Sequence, residues 1–110
     1  DYGNSYPIGQ CTWGVKEMAP WASNWWVNAN TWAINAGAQG YATGNVPVPG
    51  AIAVWDGGEY GHVAYVTDVQ SDSSIQVLEA NYNRQKQINN YRGYFNPNEF
   101  MGGVTYIYPN

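Results

Sequence analysis

Charge is scarce in this chain. Only 11% of its 110 residues are Asp, Glu, Lys or Arg, against about a quarter in an ordinary globular protein. Ionic networks therefore contribute little, and burial of aromatic surface must do more. Lys and Arg number four and the net charge is −4, so the basic surface that nucleic acid or an anionic membrane requires is missing. A neutral or cationic polymer (glycan, peptide or peptidoglycan) suits this balance better. Cysteine and histidine occur once each, as Cys11 and His62. A single cysteine excludes an internal disulfide, and the pair cannot build a four-ligand Cys/His zinc site. No run of roughly 18 apolar residues exists, so no membrane span is expected. Repeats, heptads and low-complexity tracts are also missing. The chain begins at Asp1 without the charged start and apolar stretch of a leader, which reads as a module, residues 1–110, excised from a longer secreted protein. Its length fits one domain.

What is abundant is aromatic: six Trp and ten Tyr. Each buries a large area while keeping a polar tip wet, and one small core cannot hide them all, so some should line a groove. Two helices precede a series of strands. The first helix is predicted from Cys11 to about Met18, since Pro20 disfavours helix at the residue before it. A second has Asn28 as N-cap, Ala29, Trp32, Ala33 and Ala36 at helical spacing, and Gly37 as its stop. Strands are predicted over Ala51 to Trp55, Gly61 to Val69, Ile75 to Asn81, Tyr91 to Phe95 and Val104 to Tyr108. DGGEYG and QSDSS read as hairpin turns. Short helices followed by antiparallel strands make an α+β domain.

Strand alternation puts His62, Ala64 and Val66 on one face, and Ile75, Val77, Glu79 and Asn81 on one face of the next strand. If these strands pair through a turn centred near Ser71, His62 stands opposite a residue close to Ala80, beside Glu79 and Asn81. Cys11 opens the first helix. A helix N-terminus and a neighbouring imidazolium both favour a thiolate over a thiol of ordinary pKa, roughly 8.5. Packing of His62 against that helix end would assemble nucleophile, base and orienter. The Cys11 backbone N–H would serve an oxyanion, with Tyr6 or Gln10 as the second donor. Against this stands the commoner fate of a lone cysteine, as a small buried hydrophobe.

The segments YPIGQCTWGVKEMAPW, PVPGAIAVWDGGEYGHVAYVTDV and IQVLEANY, in this order, resemble the CHAP family of cysteine, histidine-dependent amidohydrolases/peptidases. The ending RGYFNP…YIYPN is similar to C-terminal CHAP modules of secreted streptococcal cell-wall hydrolases involved in cell division. The resemblance implies a papain-like (NlpC/P60-type) fold, with short N-terminal helices packed on an antiparallel sheet. It implies Cys11 as nucleophile, His62 as general base, Glu79 as the residue orienting the histidine, and Asn81 as a polar residue that shares or replaces that role. Some relatives bind calcium through an acidic loop before the cysteine. Here DYGNSYPIG holds one acid, Asp1, so no metal and no cofactor are expected.

The resulting expectation is a peptidoglycan hydrolase, secreted and acting at a Gram-positive cell wall, that cleaves an amide in stem or cross-bridge peptides, endopeptidase activity being favoured. N-acetylmuramoyl-L-alanine amidase activity is the alternative, and a non-catalytic wall- or glycan-binding module is the rival from another class. Trp55, Tyr60 and Tyr82 are candidate groove walls, and Asp56 and Glu59 could meet a substrate amine. Other modules of the parent protein could bring cell-division or wall-targeting partners.

Overall fold

The computed structural model describes residues 3–110. Helix α1 (Cys11–Met18) and helix α2 (Trp32–Ala38) precede the strands β1 (Thr43–Gly44), β2 (Ile52–Trp55), β3 (His62–Ser71), β4 (Ser74–Leu78) and β5 (Val104–Ile107). The strands form one five-stranded sheet in the order β1-β5-β2-β3-β4, with every pairing antiparallel. The fold class is α+β, as expected.

Alternation along the strands divides the core into two layers. Ile52, Val54, Val63 and Ile107 face the helices and meet Val15, Trp26 and Trp32. Ala53, Trp55, Ala64, Val66 and Tyr106 face the other way, where Phe95 and Phe100 from the segment between β4 and β5 cover them. Both faces are thus closed, which is how a chain so poor in ion pairs buries three of its tryptophans (Trp26, Trp32 and Trp55) completely. The 10-residue β3, central to this arrangement, pairs with β2 on one side and β4 on the other.

Several expectations need correction. The second helix is not continuous from Ala29. A 3₁₀ turn over Ala29–Thr31 leads into α2, and the Asn28 side chain does not cap it. Gly37 lies inside α2; the left-handed residue that ends the helix is Gly40, at φ +94°. Tyr41 N–H returns to Ala36 O and Gly40 N–H to Gly37 O, both at 3.0 Å, the paired bonds of a Schellman cap. No strand covers Tyr91 to Phe95. Gly93 adopts φ +62° and turns the chain, so only Phe95 joins the sheet, through a bridge to Ile75. The turn after β3 falls at residues 72–73 rather than near Ser71, with two irregularities in the β3–β4 register. β4 ends at Leu78, short of the expected Asn81.

Two glycines set the distance between the elements that matter below. A Cβ on Gly14 of α1 would lie 2.9 Å from Ala80 Cβ, so the helix lies almost directly on the chain leaving β4. Gly61 has φ +74°, and a Cβ there would come within 2.6 Å of Asn30 N and 2.7 Å of Trp55 O. It lets the backbone entering β3 pass under the 3₁₀ turn, where Asn30 N–H bonds Tyr60 O at 2.9 Å.

Candidate active site

The sulfur sits where α1 begins. Gln10 is extended and its side chain makes no capping bond, so the amides of the first turn, that of Cys11 included, lie outside the helical hydrogen-bond ladder. At the other end of α1, buried Lys16 donates to the carbonyls of Pro20 and Ala22 at 3.0 and 2.6 Å. Burial lowers its pKa.

His62 is the first residue of β3, paired with Trp55 across β2. Its ring packs against Trp55 and Phe100, each with centroids 5.8 Å away. Glu79 is the first residue beyond β4, held by reciprocal backbone bonds with Asn89 at 3.1 and 3.0 Å. Its carboxylate is wholly buried, and Oε1 lies 2.8 Å from His62 Nε2. That contact leaves Nδ1 as the ring nitrogen open to the sulfur. Burial alone would push the imidazole pKa down. Interactions with Cys11 and then Glu79 outweigh it and carry the pKa up to about 9. For Glu79, burial pulls upward, but hydrogen bonds and charge from His62 and Arg92 prevail, and its pKa is lowered.

Cys11 and His62 open onto one cleft of about 570 Å³, also lined by Tyr6, Gln10, Tyr60, Asn81 and Tyr82. Among the described residues, no Asp, Glu, Lys or Arg lines it. Backbone strain gathers here. Val27, Asn81, Asn83 and Met101 all have φ between +45° and +70° and all line this cleft. Such conformations persist only where the surroundings impose them.

Other residues read from the sequence fall in different places. Trp55 is no groove wall. It shares the covered face with His62, is fully buried, and donates its indole N–H to Pro97 O at 2.8 Å. Asp56 borders a separate hollow with Asn30 and Ile34, away from the cleft, and Glu59 does not line the cleft either. Asn81 does not reach the imidazole. Its left-handed backbone breaks the strand alternation, and its side chain donates to Gln10 Oε1 at 3.1 Å and accepts from Lys86 at 3.2 Å. Gln10 therefore turns its carbonyl to Asn81 and keeps its amide N–H groups as donors. Tyr6 is engaged elsewhere. Its hydroxyl donates to Ser23 O at 2.6 Å, and burial pushes its pKa up to about 12. Asp1 lies outside the described residues, among which no group of three or more His, Cys, Asp or Glu side chains could hold a metal ion.

One participant was not read from the sequence. Arg92 donates to both carboxylate oxygens of Glu79, Nε to Oε2 at 2.9 Å and a terminal nitrogen to Oε1 at 2.6 Å. The only sequence signal for it is indirect: a buried carboxylate requires a counter-charge, and the chain has just four Lys and Arg.

Comparison with known proteins follows the same residues. The family model for the CHAP domain matches residues 1–81. A Streptococcus mutans protein, whose name says only that it is a candidate hydrolase, is 57% identical over 97% of this chain. An N-acetylmuramoyl-L-alanine amidase, sle1, of Staphylococcus aureus is 43% identical over 84% of it. This chain spans 52% of the length of the first and 29% of the second. The crystal structure of an N-acetylmuramoyl-L-alanine amidase from Staphylococcus aureus superposes with a TM-score of 0.75 at 29% identity, covering 96% of this chain and 32% of that one. The crystal structure of Ly7917, at 21% identity and TM-score 0.66 over 92% of this chain and 53% of its own, shares the fold.

Proposed function

This chain belongs to the CHAP family, and from that premise we propose that it is a peptidoglycan hydrolase using Cys11 as nucleophile. The observation supporting this reading is the opening of Cys11 and His62 onto one cleft, with Glu79 buried behind the imidazole. The Cys11 thiolate attacks an amide carbonyl, and the Cys11 backbone N–H and the Gln10 side-chain amide receive the developing oxyanion. Protonated His62 gives its proton to the leaving nitrogen as the C–N bond breaks, leaving a thioester. Neutral His62 then takes a proton from water, whose oxygen attacks the thioester carbonyl, and returns it to the departing sulfur. Tyr60 and Tyr82 form cleft walls for peptide or sugar. The site of action is the extracellular wall of a Gram-positive cell, and partners in wall targeting or cell division would act through other modules of the parent protein.

Replacing Cys11 by Ala tests this reading. Release of soluble muropeptides from purified walls should stop while co-sedimentation with those walls persists. Undiminished release would reject the nucleophile, and a parent protein that binds walls without ever releasing muropeptides would be a binding module.

The sequence favours endopeptidase cleavage, within the stem or cross-bridge. Beyond Cys11 and His62 the cleft lining holds no Asp, Glu, Lys or Arg among the described residues. This favours a second reading, cleavage of the amide between the glycan lactyl group and L-alanine, which neutral groups flank. The names of the staphylococcal relatives accord with that bond. Mass spectrometry of the digest separates the two: free lactyl ends mean amidase, and shortened stems with lactyl-alanine intact mean endopeptidase.

A further inference from the structure

Glu79 carries no exposure at all, and a carboxylate so placed is held only by its partners. His62 supplies one bond, to Oε1. Arg92 supplies two and grips both oxygens, sharing Oε1 with the imidazole. The guanidinium is itself buried, its side chain 7% exposed, and its Cζ lies 4.2, 4.2 and 4.1 Å from the ring centroids of Tyr82, Phe95 and Phe100. Three aromatic faces and two hydrogen bonds leave it almost no rotational freedom, and a planar fork of this kind fixes the plane of the carboxylate it holds. Arg92 also lies beyond residues 1–81, the part that the family model matches.

We propose that Arg92 is a positioning residue of the active site, a two-point clamp that keeps the Glu79 carboxylate ionised and aimed at His62 Nε2 throughout turnover. The inference rests on the hydrolase reading above. During the reaction His62 passes between imidazolium and imidazole, and a buried carboxylate with no other counter-ion would take up a proton when the imidazolium is lost. With Arg92 in place the carboxylate has a permanent counter-charge, so the proton that His62 handles goes to the leaving amine or the sulfur rather than to Glu79. The groups facing one another here are Cys11 from α1, His62 from β3, Glu79 at the end of β4 and Arg92 from the segment before β5.

The test compares Arg92→Met, which keeps length but neither charge nor donors, with Arg92→Lys, which keeps charge but not the fork. Two readouts are taken on the whole chain: wall hydrolysis against pH, and the rate of Cys11 alkylation by iodoacetamide against pH. Arg92→Met should lower kcat by on the order of 100-fold with KM little changed, and should move the acidic limb of both profiles to higher pH. Arg92→Lys should leave both limbs in place and lower kcat several-fold. The proposal is overturned if Arg92→Met keeps the parental alkylation profile, even with hydrolysis reduced, since loss of packing alone would not move that limb. Should Arg92→Met not fold, parental kcat in Arg92→Lys overturns it. Alkylation needs no substrate, so it tests the clamp even if the hydrolase reading fails.

Discussion

Glu79 is the residue whose surroundings admit least change. Glu79→Gln preserves shape but leaves Arg92 buried among aromatic rings without its counter-ion. Removing one member of a buried ion pair costs about 3–5 kcal/mol, so the urea midpoint should fall well below the parental value. Asn81→Ala removes two exposed bonds at the cleft edge, to Gln10 and from Lys86, for which about 1 kcal/mol each is the expected cost. Hydrolysis should follow the same order, with Glu79→Gln far the weaker enzyme, because a carboxylate stabilises the imidazolium and an amide does not. The reverse order in a wall-hydrolysis assay would make the amide the orienting group. At this scale Cys11, His62 and Glu79 were legible because strand alternation and a helix start place them. Asn81 was misplaced because one left-handed residue ends the alternation that put it beside Glu79. Arg92 carries no periodic relation to the others, and its segment has the composition of a strand.

The elements meet at glycines, where an added methyl group separates two opposed effects. In an open helix Gly→Ala stabilises by about 1 kcal/mol. Within α1, Gly14→Ala would bring Cβ to 2.9 Å from Ala80 Cβ, and overpacking of that kind costs about 1–3 kcal/mol. The melting temperature should therefore drop, and hydrolysis should drop with it, since the displaced helix carries the nucleophile. A rise in melting temperature would show that α1 can move without penalty. Helix α1 and strands β2, β3 and β5 were readable because each has a clear period or a run of buried residues. The pair of residues in β1 is too short to have a period. The end of α2 was misassigned because Gly37 and Gly40 are equally acceptable stops locally, and the return of Tyr41 N–H to Ala36 O chooses between them.

For the whole molecule, His62 and Glu79 are the shifted groups whose ordinary values, 6.5 and 4.5, set how stability follows pH from acid to neutral. His62 rises from its ordinary 6.5 to about 9 on folding. Its contribution is complete below about 6.5 and is lost as pH climbs through 9. Glu79 moves the other way, below its ordinary 4.5, so its contribution is complete above that value and fades as acid protonates it. Melting temperature should peak between about pH 4.5 and 6.5 and decline toward pH 9, and His62→Gln should flatten the alkaline decline. A parental curve that keeps rising from pH 7 to 9 would contradict the charged pairing of imidazole and carboxylate.

The sheet order has a consequence for synthesis. β5 lies between β1 and β2, so an interior position is filled by residues close to the end of the sequence. A polypeptide emerging amino end first, from a ribosome or a translocation channel, cannot knit these strands together until Ile107 has cleared the exit. The sheet that carries His62 would thus stay unclosed until nearly the whole domain is free to fold.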